Sequence, residues 1–260
     1  MKKFLTELSG ISGKILIKHF RSKLNIRFKG KTDPVTEADR NSENALKKII
    51  SRKFPNDLFI CEESCPSPSR IDNDKRYWII DPLDGTVNYT HGFGTFCVSI
   101  AVMLHGEITH GIVYNPYSKE MFYAEKGKGA YKNGKKISVS KTRTIRKSLL
   151  VTGFPYYTHK NPKNVFQLFN TFAVTAQGVR RLGSAALDLC YVADGNFEGF
   201  WEENLGPWDV AAGSLIVKEA GGNVSDFNNG NNYIFGKHII ASNPYLHKQM
   251  FNIINKKISL

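Results

Sequence analysis

Two helices are predicted from the spacing of apolar residues in the first part of the chain. Over residues 3–20, apolar side chains recur three and four positions apart: Phe4, Leu8, Ile11 and Ile15. This spacing gathers them on one face of an amphipathic helix. The pattern returns over residues 41–54, and Pro55 follows as a stop. The polar stretch 31–39 is predicted to be a loop that leads into the second helix.

The pattern changes to β-type from Tyr77 onward. Four runs rich in β-branched and aromatic residues predict strands: residues 77–80, 96–104, 107–115 and 120–124. The dipeptides His105-Gly106 and Asn133-Gly134 favour tight turns, because the second position of each is a glycine that adopts a positive φ at no steric cost. This part of the chain is therefore predicted to be a meander of strands.

Helices and strands alternate after about residue 147. Strands are predicted over residues 148–152, 197–201 and 239–242. Helices are predicted over residues 164–176, 185–193, 209–220 and 244–254, and Gly221-Gly222 forms a plausible C-cap for the third of these. This mixed order predicts a layered α+β or α/β architecture rather than a helix bundle or a β-sandwich.

Composition and charge narrow the class of protein. The chain has 260 residues, of which 41% are hydrophobic, so it is long enough for a sizeable core. No apolar run approaches the ~18 residues that span a membrane. The four cysteines include no Cys-x-x-Cys pair, which favours reduced thiols and a cytoplasmic location. The net charge of +13 suits a polyanionic partner, either nucleic acid or a small phosphorylated molecule.

The placement of the acidic residues is more informative than their number. Asp81 and Asp84 follow the apolar strand residues Trp78-Ile79-Ile80, with Pro82 and Leu83 between them. Pro82 is expected to interrupt the strand, and the glycine after Asp84 permits a tight turn. Two carboxylates on a sharp turn, with a backbone carbonyl between them, are ligands suited to Mg²⁺. Taken alone, this motif is also a common turn sequence, so both interpretations stay open.

Two further acidic positions stand apart from this turn. Glu62 and Glu63 follow the predicted strand Leu58-Phe59-Ile60. Asp209 opens a predicted helix, where it would serve as the N-cap. Neither position indicates a reaction by itself.

Five blocks of the chain, taken in order, resemble the inositol monophosphatase family. They are residues 33–39, Glu62-Glu63-Ser64, residues 81–88, residues 183–188 and residues 208–213. The resemblance covers essentially the whole chain and implies a layered αβαβα sandwich of two tightly packed lobes. Residues 1–147 would form an α+β lobe with most metal ligands, and residues 148–260 an α/β lobe with Asp209 and the substrate-ring contacts. Together they would make one compact catalytic unit.

The resemblance implies a magnesium centre of two to three ions. Glu62, Asp81 and the carbonyl of Leu83 would hold the first ion. Asp81, Asp84 and Asp209 would hold the second, with Asp81 bridging the two, and Glu62 would share in a third, weaker site. Metals at such a centre neutralise the charge of a phosphate ester and activate water for attack in line with the leaving oxygen.

The resemblance also implies the catalytic and substrate-binding residues. Glu62 and Thr86 would position and activate the water, and Asp39 would orient the hydroxyl of Thr86. The substrate would contact Asp84, Gly85, Thr86, Gly183, Ser184, Ala185, Glu202 and Asp209. Counting back six positions from Trp208 selects Glu202 rather than Glu203.

Several functions remain open within and beyond this family. A phosphorylated polyol or sugar is the expected substrate, with myo-inositol 1-phosphate first, and fructose 1,6-bisphosphate and adenosine 3′,5′-bisphosphate as alternatives. Arg180-Arg181 would hold an anionic substrate or help a partner interface. A homodimer is implied. A non-enzymatic role in contact with RNA or a transcription complex suits the charge, although no RNA-binding motif is recognisable.

One departure from the family pattern lies next to a metal ligand. Cys61 stands where members of the family commonly have glycine, directly before Glu62. A free cysteine behaves as a small hydrophobic residue, so its thiol is expected to pack in the core.

Overall fold

The computed structural model describes residues 1–22, 27–28, 34–65, 68–155, 158 and 162–258. The first three residues of the predicted loop 31–39 lie outside these ranges. The helices are α1 (Lys2–His19), α2 (Glu37–Lys53), α3 (Thr86–Thr90), α4 (Pro162–Thr175), α5 (Ala185–Ala193), α6 (Pro207–Glu219) and α7 (His247–Ile258). A 3-10 turn covers Ile145–Lys147.

The strands form one sheet of seven, one of five and a pair. The pair is β1 (Arg27–Phe28) with β2 (Pro34–Val35). The larger sheet contains, in this spatial order, β3 (Leu58–Cys61), β4 (Arg76–Asp84), β5 (Cys97–Leu104), β6 (Glu107–Asn115), β7 (Glu120–Glu125), β8 (Gly129–Lys132) and β9 (Lys135–Lys136). The smaller contains β10 (Leu149–Thr152), β11 (Gly178–Arg180), β12 (Gly199–Glu203), β13 (Asn223–Ser225) and β14 (His238–Ser242), ordered β11-β10-β12-β14-β13.

Side chains of the larger sheet alternate between two cores. Trp78 and Ile80 of β4 pack with residues of α1 and α2, whereas Ile79 packs with α5 and α6 on the other face. This is the period-two alternation that a pleated strand imposes. Helices α5 and α6 therefore lie between the two sheets, since α5 also contacts β10 and β12 of the smaller sheet.

The outer face of the smaller sheet is covered by α4 and α7. Phe172 of α4 and Met250 of α7 share a core with Leu150 and Trp201 of the sheet. The layers run α1/α2, larger sheet, α5/α6, smaller sheet, α4/α7. The predicted αβαβα sandwich is confirmed. No helix in the described ranges has both the length and the apolar character that a membrane crossing requires.

The sequence patterns predicted the long helices and strands, but some of their boundaries in the structure differ from the predicted ones. Helix α2 begins at Glu37 rather than near residue 41, because the Thr36 hydroxyl accepts a hydrogen bond from the backbone N–H of Ala38 and caps the helix. The predicted turns are present, with φ of 48° at Asn133 and 80° at Gly134. The short strands β8, β9, β11 and β13 went unpredicted, since so few residues carry no clear period.

Candidate active site

Asp81 and Asp84 project from one face of β4 because the strand contains a bulge. Residues three positions apart on a regular strand would point to opposite faces. In the pairing with β5, Asp81 lies opposite Ser99 and Asp84 opposite Cys97, so β4 carries one extra residue between the acids. Pro82 interrupts the regular pairing, as expected, but the strand continues to Asp84, because the bulge accommodates a residue that has no N–H. Both carboxylates consequently face α5 and α6.

The backbone of this bulge holds Asp81 in place. The N–H of Leu83 donates to Oδ1 of Asp81 over 2.9 Å. Asp81 is 1% exposed, and the Leu83 side chain is fully buried. The position of the first carboxylate therefore follows from the local sequence Asp81-Pro82-Leu83 rather than from a distant partner.

Asp84 is held by the beginning of α5. Its Oδ2 accepts hydrogen bonds from the Ser184 hydroxyl at 2.6 Å and from the Ala186 N–H at 2.8 Å. The free N–H groups of a helix N-terminus stabilise an anion at that end. Ser184 is also the N-cap of α5 and accepts from the N–H of Leu187. The segment that the resemblance assigned to substrate thus also anchors a predicted metal ligand.

Asp209 lies at the third position of α6, and the prediction that it is the N-cap was wrong. The N-cap is Gly206, whose N–H donates to Oδ2 of Asp209 over 2.6 Å. Pro207 occupies the first helical position, where a missing N–H costs nothing. Two residues therefore precede Asp209 in the helix, and its carboxylate reaches back across the first turn towards β4.

The three aspartates form a compact cluster. One carboxylate oxygen from each of Asp81, Asp84 and Asp209 lies within 4.8 Å of the others. Burial raises the pKa of each above the usual range of an aspartate. Repulsion from neighbouring carboxylates, including Glu62, raises the pKa of Asp81 and Asp209 further. This much negative charge in one place requires a cation if the acids are to be ionised.

The donors in this cluster fit a divalent metal ion. Within the described part of the chain, no lysine or arginine forms an ion pair with the three aspartates. All the available donor atoms are oxygens, and Glu62 and Leu83 line the same cavity. Oxygen donors at this density are typical of sites for hard cations such as Mg²⁺.

The hydroxyl of Thr86 lies between the cluster and Asp39. It donates to the carbonyl of Leu83 at 2.9 Å and lies 3.4 Å from Oδ1 of Asp39. Thr86 is the first residue of α3, whose N-cap Gly85 has a φ of 89°. A side chain at Gly85 would also place its Cβ 2.8 Å from the carbonyl of Thr95. Glycine is therefore required to bring Thr86 to this place.

Asp39 is fixed from the other side by the first turn of α2. Its Oδ2 accepts from the backbone N–H of Thr36 at 2.9 Å and from the Thr36 hydroxyl at 2.5 Å. Burial raises the pKa of Asp39 to about 6, against the opposing effect of these bonds. Near neutral pH the carboxylate is ionised, so its Oδ1 offers the Thr86 hydroxyl an alternative acceptor to the Leu83 carbonyl.

The three aspartates of the cluster line a cavity of about 250 Å³ together with Glu62, Leu83 and Thr86, whereas Asp39 lies outside it. Its walls include Gly85, Gly183 and Ala185, together with the acidic residues and the ring of Trp208. Ser184 is 1% exposed and does not line the cavity. Its hydroxyl is engaged by Asp84, so any contact of Ser184 with a ligand stays a prediction.

Glu202 and Glu203 both reach the cavity wall, but their environments differ. Glu202 is 8% exposed, and its carboxylate lies against Gly153, where a Cβ would come within 2.2 Å of either oxygen. Burial raises the pKa of Glu202 to about 8, and the nearby Arg181 opposes this rise. Glu203 is only partly buried. The choice of Glu202 over Glu203 stays a prediction, with the more buried carboxylate in its favour.

The two neighbouring arginines differ in their position relative to the cavity. Arg181 is exposed at the rim, where its guanidinium lies 5.9 Å from the ring centre of Phe154. Arg180 ends β11, and its guanidinium donates to the carbonyl of Val179. Only Arg181 contributes to the walls of this cavity.

Two residues near the site were missed by sequence reasoning. The Asn88 amide donates to the carbonyl of Thr95 at 2.7 Å and to that of Leu182 at 2.8 Å, joining α3 to the loop before β5 and to the segment before α5. Its place at the end of the block 81–88 was the available signal. Asp188 is 1% exposed, and neither of its carboxylate oxygens has a hydrogen-bond partner in the described ranges. Its place at the end of the block 183–188 was the available signal.

Cys61 is fully buried directly before Glu62, and burial raises the pKa of its thiol. The expectation that this thiol packs in the core is confirmed.

The αβαβα layers enclose a buried carboxylate cluster, at the end of β4 and in the first turn of α6, that could hold a metal ion, and together with the family match they identify a phosphatase. The chain belongs to the inositol monophosphatase family, whose family model matches residues 1–259.

Relatives support the same assignment over nearly the full length. The inositol-1-monophosphatase of Synechocystis sp. is 43% identical, with 86% of this chain and 78% of the relative covered. A Pasteurella multocida protein named Nus factor SuhB is 39% identical, with 95% and 93% covered. The solved structure of a Thermotoga maritima IMPase superposes with a TM-score of 0.90 at 34% identity, with 100% and 99% covered.

Proposed function

We propose that this protein hydrolyses myo-inositol 1-phosphate to inositol and phosphate with Mg²⁺ as its cofactor. The observation that carries the proposal is the cavity of about 250 Å³, which joins a carboxylate cluster to a second wall of polar groups. One wall suits metal ions and the phosphate. The other wall offers hydrogen-bond partners for the hydroxyls of a small polyol.

Glu62, Asp81 and the Leu83 carbonyl would hold one magnesium ion, and Asp81, Asp84 and Asp209 another. Glu62 would share in a third site, which makes two to three ions. When bound, the ions neutralise the phosphate charge, activate the attacking water and stabilise the leaving oxygen. The protein contributes the fixed oxygen positions, which backbone N–H groups of β4, α5 and α6 hold before a ligand arrives.

Glu62 and Thr86 would position the attacking water. The single proton of the Thr86 hydroxyl has two alternative acceptors, the Leu83 carbonyl at 2.9 Å and Asp39 at 3.4 Å. In the proposed scheme the Leu83 carbonyl would hold a metal ion, which leaves Asp39 as the acceptor. With its proton donated towards Asp39, the hydroxyl oxygen presents its lone pairs to a water. Glu62, on the cavity wall, would accept a proton from that water. Asp39 acts as a positioning residue in this scheme, because it orients Thr86 and does not touch the substrate.

The remaining contacts would recognise the two ends of the substrate. Backbone N–H groups at Gly85 and Thr86 would donate to phosphate oxygens, and the hydroxyls of the substrate would form hydrogen bonds at the opposite wall of the cavity. The residues proposed for substrate binding are Asp84, Gly85, Thr86, Gly183, Ser184, Ala185, Glu202 and Asp209. An ionised or neutral Glu202 can hydrogen-bond to a ring hydroxyl, since both forms present an acceptor.

Fructose 1,6-bisphosphate is the second candidate substrate, and Arg181 favours it. This guanidinium lies at the cavity rim, where the second phosphate of a bisphosphate would emerge. Arginine binds phosphate by paired hydrogen bonds. The same position would serve a phosphate of adenosine 3′,5′-bisphosphate, so the three substrates need direct comparison.

A non-enzymatic role with RNA or a transcription complex is a further alternative. A relative carries the name Nus factor SuhB, and the net charge of this chain is +13. Such binding would survive loss of the metal ligands and would weaken steeply as salt rises. A filter-binding assay with RNA at two salt concentrations, using protein with and without EDTA, separates this role from catalysis.

We further propose that the protein works in the cytoplasm as a homodimer of single catalytic units, each with lobes 1–147 and 148–260. Packing of α6 against β5 and β6 supports one unit, because it ties Asp209 to the larger sheet. Four free cysteines suit a reducing compartment. Light scattering of the purified protein tests the dimer.

The deciding experiment is phosphate release from purified protein with Mg²⁺, using the three phosphate esters in parallel. Abolition by EDTA and recovery on added Mg²⁺ are expected for the preferred ester. A kcat/KM of about 10⁴ M⁻¹s⁻¹ or more would place one substrate in the range of typical enzymes. Turnover of all three at rates no higher than the EDTA control would contradict the proposal.

A further inference from the structure

Cys61 and Cys65 lie opposite each other at the two ends of the turn that carries Glu62. The N–H of Cys61 donates to the carbonyl of Cys65 at 2.6 Å, and the N–H of Cys65 donates back at 3.4 Å. Residues paired in this way point to the same side, with Cα atoms about 5.5 Å apart. This separation lies within the range of about 4.4–6.8 Å that disulfides span.

The two thiols differ in access and in charge environment. Cys61 is fully buried, whereas Cys65 is partly exposed. Nζ of Lys47 lies 3.2 Å from Sγ of Cys65, and the Ser64 hydroxyl lies 3.5 Å from it. Cys65 is the more accessible of the two thiols, so it is placed as the thiol that meets an oxidant, and Cys61 as the thiol that closes the bond.

We propose that Cys61 and Cys65 form a reversible disulfide when the protein meets a hydroperoxide. The Cys65 sulfur attacks a peroxide oxygen, becomes a sulfenic acid and releases water or an alcohol. The Cys61 sulfur then attacks the sulfur of this sulfenic acid and releases water. Overall, two thiols lose two hydrogens and the peroxide is reduced. Thiol reductants reverse the reaction by exchange.

Closing this bond changes the turn between the cysteines. Directly opposed Cβ atoms lie about 4.5–5.5 Å apart across an antiparallel pair, whereas a disulfide requires about 3.8 Å. The turn must therefore tighten, although Glu43 of α2 holds it through the Glu63 N–H at 3.0 Å and through the Ser64 hydroxyl. Glu62 lies in this turn and lines the cavity, so its carboxylate moves. The effect on metal binding rests on the proposed role of Glu62.

The other two cysteines provide internal controls. Cys97 and Cys190 are fully buried, and the structure pairs neither with another cysteine. Cys97 lies beside Asp84 and Ser184, which makes it unsuitable for substitution. Cys190 lies in the core around α5, away from the turn.

The test is oxidation of the full chain by hydrogen peroxide, followed by intact mass, peptide mapping and Mg²⁺ calorimetry. The wild type is expected to lose two hydrogens and yield a Cys61–Cys65 cross-link. Its Mg²⁺ affinity is expected to fall about tenfold, the loss typical when the support of a ligand is disturbed. Dithiothreitol should restore both the mass and the affinity.

Cys65→Ser and Cys190→Ala are the matched variants. Under the same peroxide treatment, Cys65→Ser should keep its Mg²⁺ affinity and form no cross-link, and Cys190→Ala should respond as the wild type does. Absence of the cross-link in the wild type would overturn the proposal. A cross-link without a change in Mg²⁺ affinity would overturn its link to the metal site. The mass and mapping results do not depend on phosphatase activity, so failure of the proposed function is seen separately.

Discussion

The two walls of the cavity are built by different means. On the metal wall, each aspartate accepts a hydrogen bond from a backbone N–H: Leu83 for Asp81, Ala186 for Asp84 and Gly206 for Asp209. The opposite wall, which we call the ring wall, contains Glu202 of β12 and Arg181 at the rim. Glu202 is held there by burial and by packing against Gly153. In the described ranges no hydrogen bond fixes its carboxylate.

In the proposed function, this difference separates chemistry from specificity, because one wall would hold the metal ions and the other would contact the substrate hydroxyls. Backbone N–H groups at a bulge and at two helix ends fix the metal wall, so its geometry depends on the fold itself. Single side chains on β12 and at the rim define the ring wall, so one substitution there can change the preferred substrate without disturbing the fold. We therefore expect mutations of the metal wall to abolish activity, and mutations of the ring wall to redistribute it.

The largest effect is expected for Asp81→Asn. The change removes the carboxylate that would bridge two ions, so kcat/KM should fall at least about 10³-fold, since metal ions contribute several kcal/mol and each 1.4 kcal/mol is tenfold. The same change relieves repulsion among buried acids, so the metal-free variant should melt higher than the metal-free wild type. Phosphate release and thermal denaturation in EDTA measure the two effects.

Asp74→Asn is the control for this variant, because Asp74 is exposed and lies outside the cavity. It should match the wild type in both assays. Retention of more than a tenth of the activity by Asp81→Asn would contradict the comparison of the two walls.

A smaller loss is expected for Thr86→Ala, which leaves the carboxylates intact. The variant removes the hydroxyl that Asp39 and Leu83 orient, so kcat should fall about 10²-fold, the lower range for a group that assists proton transfer. Mg²⁺ affinity should stay close to that of the wild type. Steady-state kinetics and calorimetry distinguish the two parameters.

Thr90→Ala is the matched control, because its hydroxyl lies at the other end of α3 and donates to the carbonyl of Val87. This variant should keep full activity. Equal losses in the two threonine variants would point to disruption of α3 rather than to a role of the Thr86 hydroxyl.

The sequence predicted the aspartates of the metal wall better than the backbone features that hold them in place. The Asp81–Asn88 block and the Trp208-Asp209 pair lie within short runs, and their residue types carry the chemistry directly. The bulge that turns Asp81 and Asp84 to one face was not predictable, because it depends on the register with β5. Asp209 was placed at the wrong helix position for a related reason, since Pro207 and Gly206 decide where the helix begins.

The long helices and central strands were also predictable, because their hydrophobic periods are long and clear. The layers follow from the two-sided burial of β4, where Trp78 and Ile79 enter different cores. The carboxyl of Asp188 shows where this reasoning ends. Asp188 ends the block 183–188, but the sequence assigned it no role, and only the three-dimensional arrangement reveals a buried acid near Glu202 and Asp84.

Glu202→Gln tests the ring wall through both substrate preference and pH dependence. Near pH 9, where the carboxylate is ionised, we expect turnover of inositol 1-phosphate to fall about tenfold, because a neutral amide accepts a hydrogen bond that is weaker by about 1 kcal/mol than one to a carboxylate, with less change for fructose 1,6-bisphosphate. The pKa of Glu202 rises from its usual 4.5 to about 8 on folding. The unfolded chain therefore ionises first, and the folded state loses stability as pH rises from about 5 through 8.

The variant should lack this component of the pH dependence. In EDTA it should melt close to the wild type near pH 5 and several degrees higher near pH 9, because each kcal/mol corresponds to about 2–4 °C in a protein of this size. Glu7→Gln on the exposed face of α1 is the control. A constant difference in melting temperature across this pH range would show that Glu202 does not titrate in this way.

The smallest effect on catalysis is expected for Asn88→Asp, which tests the connection between the two walls. The change keeps the shape of the side chain but removes the N–H donors to Thr95 and Leu182. The two carbonyls lose their partner, so unfolding should become easier by about 1–3 kcal/mol, while kcat falls less than tenfold because the aspartates keep their own supports. Denaturant titration and phosphate release measure these quantities, with the exposed Asn228→Asp as control. If Asn88→Asp lost as much activity as Asp81→Asn, the metal wall would depend on this clamp, and its independence from the segment before α5 would be disproved.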